Sequence, residues 1–314
     1  MGALLRRIDD DTPLSGARPS ALVVGNFDGV HVGHAAVLRQ AVDLGRERGL
    51  ETSVLTFDPH PAAVVGAGAP PVLTTLARRA QLMGDLGVAS VWVRTFDRAF
   101  AASSPDRFAR ELVARGLGAR LVVVGQNFRF GARRAGGLDL LRRLGEDLGF
   151  EVVVHAIASD ARGPYSSTRA REAIAAADLA EAAHVLGRPH ELSGPVVRGD
   201  QRGRTIGFPT ANVAPVAEML PPDGVYAVRV EREGAGGPLG AGVTNIGVRP
   251  TVGGGARTVE THLLDFAGDL YGATLRLRLV ARVRDERRFA DVDQLKAQIA
   301  RDCVWARELV AGAP

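Results

Sequence analysis

The chain has 314 residues, 46% hydrophobic and 24% charged, which excludes disorder, collagen and a bare coiled coil and suits two domains. A single cysteine, Cys303, excludes an intramolecular disulfide and a Cys-based zinc cluster and fits a cytoplasmic location. No apolar run approaches about 18 residues, so neither a membrane span nor a secretory signal is expected.

In chain order, short Val/Leu-rich runs alternate with amphipathic stretches through the first half. Strands are predicted at Ala21–Val24, Thr52–Phe57, Val88–Arg94, Leu121–Val124 and Glu151–Ile157, and helices near Gly33–Arg48, Thr74–Leu86, Pro105–Arg115 and Leu138–Leu148. Nearly all-apolar strands joined by crossovers of helical length indicate a doubly wound parallel α/β sheet. Such sheets bind ligands outside the carboxyl ends of their strands. An alanine-rich stretch, Thr168–Gly187, then reads as one helix, capped by Ser167 or Thr168 and stopped by Gly187.

Beyond it Gly and Pro become frequent, and alternating segments follow at Gly224–Glu231, Leu239–Ile246, Thr258–Leu264 and Thr274–Val283. These suggest an antiparallel barrel or compact sandwich. A closing helix carries Val292, Leu295, Ile299, Cys303, Ala306 and Val310 on one stripe, so Cys303 reads as packing. The domain boundary is placed at 187/188. There are only four more basic than acidic residues and they are scattered, which argues against a nucleic-acid partner.

The polar Gly-rich loops follow the predicted strands. GNFDGVHVGH, Gly25 to His34, contains Gly25 and Gly29, which permit close backbone approach, and leads into a helix whose free N–H groups suit an anion. His31 and His34, three apart, reach the same side. A tight turn with two surface histidines explains the motif equally well, and a metal pair lacks a nearby third ligand. FDPHP holds His60 beside two prolines, GQNFRFG holds Asn127, and SSTRAR holds Ser167, Thr168 and Arg171. Lys296, the only lysine, lies in a helix, so no Walker-type phosphate loop exists. No G-x-G-x-x-G follows the first strand, which removes a dinucleotide-type site.

In the second half, GDQRGRTIGFPTAN ends in two hard oxygen donors, Thr210 and Asn212, a pattern suited to phosphate and Mg²⁺. NIGVRPT and VETHLLDF follow. Glu260, on a strand face with His262 and Leu264, is either a solvated residue or a general base, and periodicity alone favours the former.

With these motifs in order, the chain resembles the prokaryotic bifunctional riboflavin kinase/FMN adenylyltransferase (FAD synthetase) family. The likeness runs from about residue 21 to about residue 302 and includes the closing RRFADVDQLKAQIARD. It implies a nucleotidylyltransferase-like α/β domain with linker helix over 1–187 and a six-stranded barrel with terminal helix over 188–314. The implied chemistry is riboflavin + ATP → FMN + ADP in the barrel, then FMN + ATP → FAD + pyrophosphate in the sheet domain.

By the resemblance, Glu260 is the base for the ribityl hydroxyl, and Thr210 and Asn212 hold Mg²⁺. Gly199, Gly203, Arg204, Gly207, Phe208, Pro209, Asn245 and Arg249 bind nucleotide or flavin. In the other domain His31, His34 and Arg171 serve the transfer, stabilising charge on the phosphates. Gly25, Asn26, Phe27, Asp28, Gly29, His60, Asn127, Ser167 and Thr168 bind ATP or FMN. The FMN phosphate is already largely dianionic at pH 7, its second pKa being about 6, so no general base is needed there. Departures from the family pattern are Ile206, Arg198 and Val252, while Pro195 implies an edge or bulge in the first barrel strand. Partners are small molecules, with no membrane, and homo-oligomerisation stays open. The rival readings are a flavin- or nucleotide-binding regulatory protein with one active domain, and an RNA-handling protein, since His-x-Gly-His also marks class I aminoacyl-tRNA synthetases.

Overall fold

The computed structural model describes residues 3–9, 18–66, 68–199, 202–248 and 257–313. They form two compact units, Met1–Pro71 with Thr75–Ser166, and Val72–Thr74 with Ser167–Pro314.

The first unit is built on six parallel strands: β1 (Leu4–Ile8), β2 (Ser20–Val24), β3 (Glu51–Asp58), β4 (Ser90–Thr95), β5 (Ala119–Gly125) and β6 (Glu151–His155). Their order is β1-β4-β3-β2-β5-β6. Between them run α1 (Val32–Glu47), α2 (Pro61–Val64), α3 (Leu76–Asp85), α4 (Arg98–Ala101), α5 (Pro105–Arg107) with a π-helical continuation over Phe108–Gly116, and α6 (Leu138–Leu148). A small hairpin, β7 (Ser159–Asp160) and β8 (Gly163–Pro164), follows.

Strand alternation separates two cores, as the doubly wound arrangement requires. Ala21, Val23, Leu121 and Val123 pack with Leu38, Ala41 and Met83 of α1 and α3. Leu22, Val24, Val122 and Val124 pack on the other face with Phe108, Leu112, Leu141 and Leu144. The chain steps from β2 outward to β3 and β4, then returns to place β5 on the other side of β2. The switch point therefore lies between β2 and β5, the place at which doubly wound sheets bind ligands at their carboxyl ends. Strand β1 was not foreseen. Only Ile8 of it is buried, so it carries no apolar alternation, and its pairing with β4 makes it a strand.

The second unit comprises α7 (Ser167–Ala175), α8 (Leu179–Leu186), β9 (Glu191–Val197), α9 (Arg202–Thr205), β10 (Ala211–Val213), β11 (Gly224–Arg232), β12 (Gly237–Val248), β13 (Arg257–Leu263), β14 (Thr274–Arg284) and α10 (Val292–Gly312). The strands close into an antiparallel barrel in the order β10-β13-β12-β11-β14-β9. Leu192, Tyr226, Val228, Ile246, Leu275 and Leu277 fill its core. Helix α10 covers an outer patch through Cys303 and Ala306, which meet Val225, Ala227 and Val243. Cys303 is buried, and burial raises its thiol pKa.

Three sequence expectations change. The single helix over Thr168–Gly187 is two, because Ala177 turns left-handed (φ 56°) and the Asp178 carboxylate caps α8 by accepting from the Glu181 N–H. These helices belong with the second unit, since Leu179 packs in the barrel core. Pro195 sits where the pairing of β9 changes over: its register with β14 ends at Pro195 and that with β10 begins at Val196, so along 191–195 the strand has one paired neighbour, in keeping with a local edge. Val292 is 52% exposed, so the buried stripe of α10 starts further along.

Candidate active sites

In the sheet unit the loop after β2 is held in an unusual backbone path. Phe27, Gly29 and Val30 have φ of 52°, 87° and 40°, the last rare for a β-branched residue. A Cβ at Gly25 would lie 3.1 Å from the Phe27 ring, a tight approach that the ring would have to relieve by moving. The His31 Nδ1 caps α1 by accepting the His34 N–H at 3.2 Å. A neutral His31 therefore carries its proton on Nε2, pointing a donor away from the helix.

The His31 and His34 rings stack with centroids 3.5 Å apart, and Phe27 meets His34 edge-on at 5.0 Å. Burial, then repulsion from His31 and from the Arg79 guanidinium, holds the His34 pKa well below its ordinary value. His34 is thus neutral at pH 7, with a buried Nδ1 that has no hydrogen-bond partner. The pair can stabilise phosphate charge by donating hydrogen bonds.

The motif after β3 joins the first. His60 caps α2 by accepting the Ala62 N–H at Nδ1, which leaves its proton on Nε2, 3.0 Å from the Asn26 carboxamide. That contact is sound with the Asn26 oxygen facing the ring. Asn127 is exposed in the turn after β5, its amide oxygen over Gly125, on the far side of the switch point from Gly25.

Arg79, which carried no assignment from the sequence, organises the loop. This buried α3 guanidinium donates to the Asn26 carbonyl at 3.1 Å and pairs with buried Asp28 at 3.2 Å, while the Thr56 hydroxyl donates to the same carbonyl. A lone arginine among the apolar positions of a short helix was its only signal. Arg79→Met should strand Asp28 without its partner, lowering stability by about 3–5 kcal/mol in a urea titration. FAD formation should be lost with the loop, and FMN formation kept.

Ser167, Thr168 and Arg171 lie in the first turns of α7, within the second unit. Arg169 in the same motif ties α7 to α8 through a partly buried ion pair with Glu181 at 2.6 Å.

The barrel brings its motifs together by strand register. Asn212 of β10 and Asn245 of β12 both stand opposite Glu260 of β13. The three side chains form a row on the outer face, half-buried, because Val259 and Thr261 take the inward positions. The Asn245 amide donates to Glu286 at 3.0 Å. A Cβ on Gly247 would meet that carboxylate, so a larger residue there would push the Glu286 side chain aside. Glu286 lies in the RDERR run, where nothing distinguished it from a solvated charge. Its segment is fastened by the Arg284–Asp302 ion pair, 2.8 Å, with Asp302 fully buried.

The glycine segment packs against Asn212, at one end of the row, and against the turn that bears Thr210. A Cβ at Gly199 would fall 2.4 Å from the Asn212 amide, and one at Gly203 2.3 Å from the Phe208 carbonyl and 3.5 Å from the Thr210 hydroxyl. Gly203 and Arg204 lie in α9, and Gly207 (φ 90°) turns the chain into Phe208 and Pro209. Two hard oxygen donors under a glycine cradle, beside a carboxylate, fit Mg²⁺ held with nucleotide phosphates. Arg249 lies outside the described residues.

Comparison with known proteins finds one family in each half of the chain. The FAD synthetase family matches residues 15–169 and the riboflavin kinase family residues 186–310. The bifunctional riboflavin kinase/FMN adenylyltransferase of Escherichia coli K12 is 44% identical over 91% of both chains. The chain belongs to the bifunctional riboflavin kinase/FMN adenylyltransferase family. The Pseudomonas fluorescens enzyme of that name is 39% identical over 94% of both chains. A Streptococcus pneumoniae crystal structure named as a macrolide-efflux protein superposes with a TM-score of 0.85 at 30% identity, covering 97% of this chain and 99% of that one. Among the described residues no helix is long and apolar enough to cross a membrane, so the efflux name finds no helical counterpart here. This member has both family folds, the parallel sheet and the closed barrel, and is a riboflavin kinase and FMN adenylyltransferase.

Proposed function

We propose that the two reactions are divided between the units, with riboflavin phosphorylated on the barrel and FMN adenylylated at the sheet. The observation that carries this is the strand register that sets Glu260 between Asn212 and Asn245, separate from the stacked His31–His34 pair at the N-terminus of α1. Glu260 accepts the proton of the ribityl 5′-hydroxyl. Thr210 and Asn212 hold Mg²⁺, which when bound neutralises phosphate charge on ATP. Gly199, Gly203 and Gly207 allow the segment over the phosphates to approach closely, and Arg204, Phe208, Pro209, Asn245 and Arg249 complete the ligand contacts.

At the sheet, Gly25 to Gly29 and the free N–H groups of α1 receive the ATP phosphates, with His31 and His34 donating to the charge that develops on them. His60 and Asn127 bind ATP or flavin, while Ser167, Thr168 and Arg171 keep the anion-binding role that the family resemblance implies. The regulatory reading is not favoured, because both constellations are intact. The dispersed charge and single buried cysteine support a cytoplasmic enzyme acting on small molecules, with no nucleic-acid or membrane partner. Incubating the purified chain with riboflavin, ATP and Mg²⁺ should yield FMN first and FAD after it. Riboflavin recovered unchanged would reject the proposal.

The kinase unit is proposed to begin at α7, a reading supported by the packing of Leu179 in the barrel core. A fragment spanning 167–314 should phosphorylate riboflavin. One spanning 188–314 lacks Leu179, a core residue, and should be less stable by about 2–5 kcal/mol, the cost of vacating a buried leucine site. Equal urea midpoints for the two fragments would restore the boundary at 187.

A further inference from the structure

His262 has no role in the assignments above, yet it joins the two halves of the kinase row. It lies on β13 two residues beyond Glu260, on the same outer face. Its Nδ1 is 2.7 Å from the Pro209 carbonyl oxygen. A carbonyl only accepts, so Nδ1 carries the proton and donates. The Phe208 ring meets the imidazole edge-on, with centroids 5.5 Å apart.

Phe208 and Pro209 open the turn that delivers Thr210 and Asn212. From the other side, the Phe208 N–H donates to the Gly203 carbonyl at 2.8 Å. The turn is thus held between the glycine segment and His262. Backbone pairing with β13 begins only at Ala211. Thr210 precedes that pairing, and the His262 bond is the side-chain tie from β13 to the turn that bears it.

We infer that His262 is a positioning residue of the kinase, locking the turn that bears Thr210 to the strand that bears Glu260 through its Nδ1–H bond to Pro209. The phosphate side of the site and the proton acceptor then keep one spacing. This rests on the assignment of Glu260 and Thr210 to the kinase reaction.

The test uses the full-length chain with His262→Phe, which keeps a ring against Phe208 but has no donor, and His262→Asn, which keeps an N–H near the place of Nδ1. Loss of one hydrogen bond predicts about a tenfold rise in the KM for Mg·ATP in the Phe variant. Riboflavin KM and FAD formation from supplied FMN should stay as in the parent. His262→Asn should restore most of the Mg·ATP affinity. In the unsubstituted chain, ¹⁵N spectra of the ring should show the Nδ1-protonated tautomer, a readout independent of turnover and of any variant's folding. An Nε2-protonated ring overturns the inference, as does equal Mg·ATP KM in the Phe and Asn variants. If Glu260→Gln is inactive as a kinase while His262→Phe keeps a normal Mg·ATP KM, the His262 role alone fails. Normal kinase turnover in Glu260→Gln removes the reading beneath it and the inference with it.

Discussion

Glu260→Gln should lower riboflavin phosphorylation by about 10²–10⁴-fold, the usual cost of removing a general base. The substitution keeps the side chain's shape and part of its hydrogen bonding between Asn212 and Asn245, so the strand register survives. What disappears is the acceptor for the hydroxyl proton. The loss should fall on kcat, with riboflavin binding weakened far less, because the interaction belongs mainly to the transition state. FAD formation from supplied FMN should continue, since that nucleophile is an ionised phosphate. Steady-state kinetics of both reactions on one preparation decide the matter. Near-normal kinase turnover would return Glu260 to the solvated role that alternation along the strand suggests.

His31→Ala or His34→Ala should each reduce FAD formation by about 10²–10³-fold, the cost of losing one positioned donor, while FMN formation persists. The His31 variant should also be destabilised by about 1 kcal/mol, because its Nδ1 caps α1. The depressed His34 pKa adds a pH dependence with a definite sign. Below about pH 6.5 the unfolded chain takes up a proton that the folded chain resists. The contribution to stability is therefore complete above that pH and is lost as acidity rises. Urea midpoints at pH 7 and 5.5 should draw together in His34→Gln relative to the parent. Equal loss of both activities in a folded His variant would point to general damage and away from a role in adenylyl transfer.

Much of this protein was legible without coordinates. The Val/Leu strands, the antiparallel alternation of Leu275, Leu277 and Leu279, the start of α1 at the GVHVGH turn and the glycine stop at Gly187 are local signals, set by side-chain periodicity and backbone freedom. The ordered motifs carried the family and both reactions. Tertiary structure decided which distant residues meet. Asn212, Asn245 and Glu260 form one row because three strands adopt a particular register, and register follows from packing across a closed barrel. Glu286 looks like an ordinary surface charge in the sequence and Arg79 stands out only as a charge among apolar helix positions; contact with Asn245 and burial against Asp28 give them their tasks. The break at Ala177 likewise has no local signal. An alanine-rich run favours helix throughout, and the packing of Leu179 into the barrel core outweighs that preference.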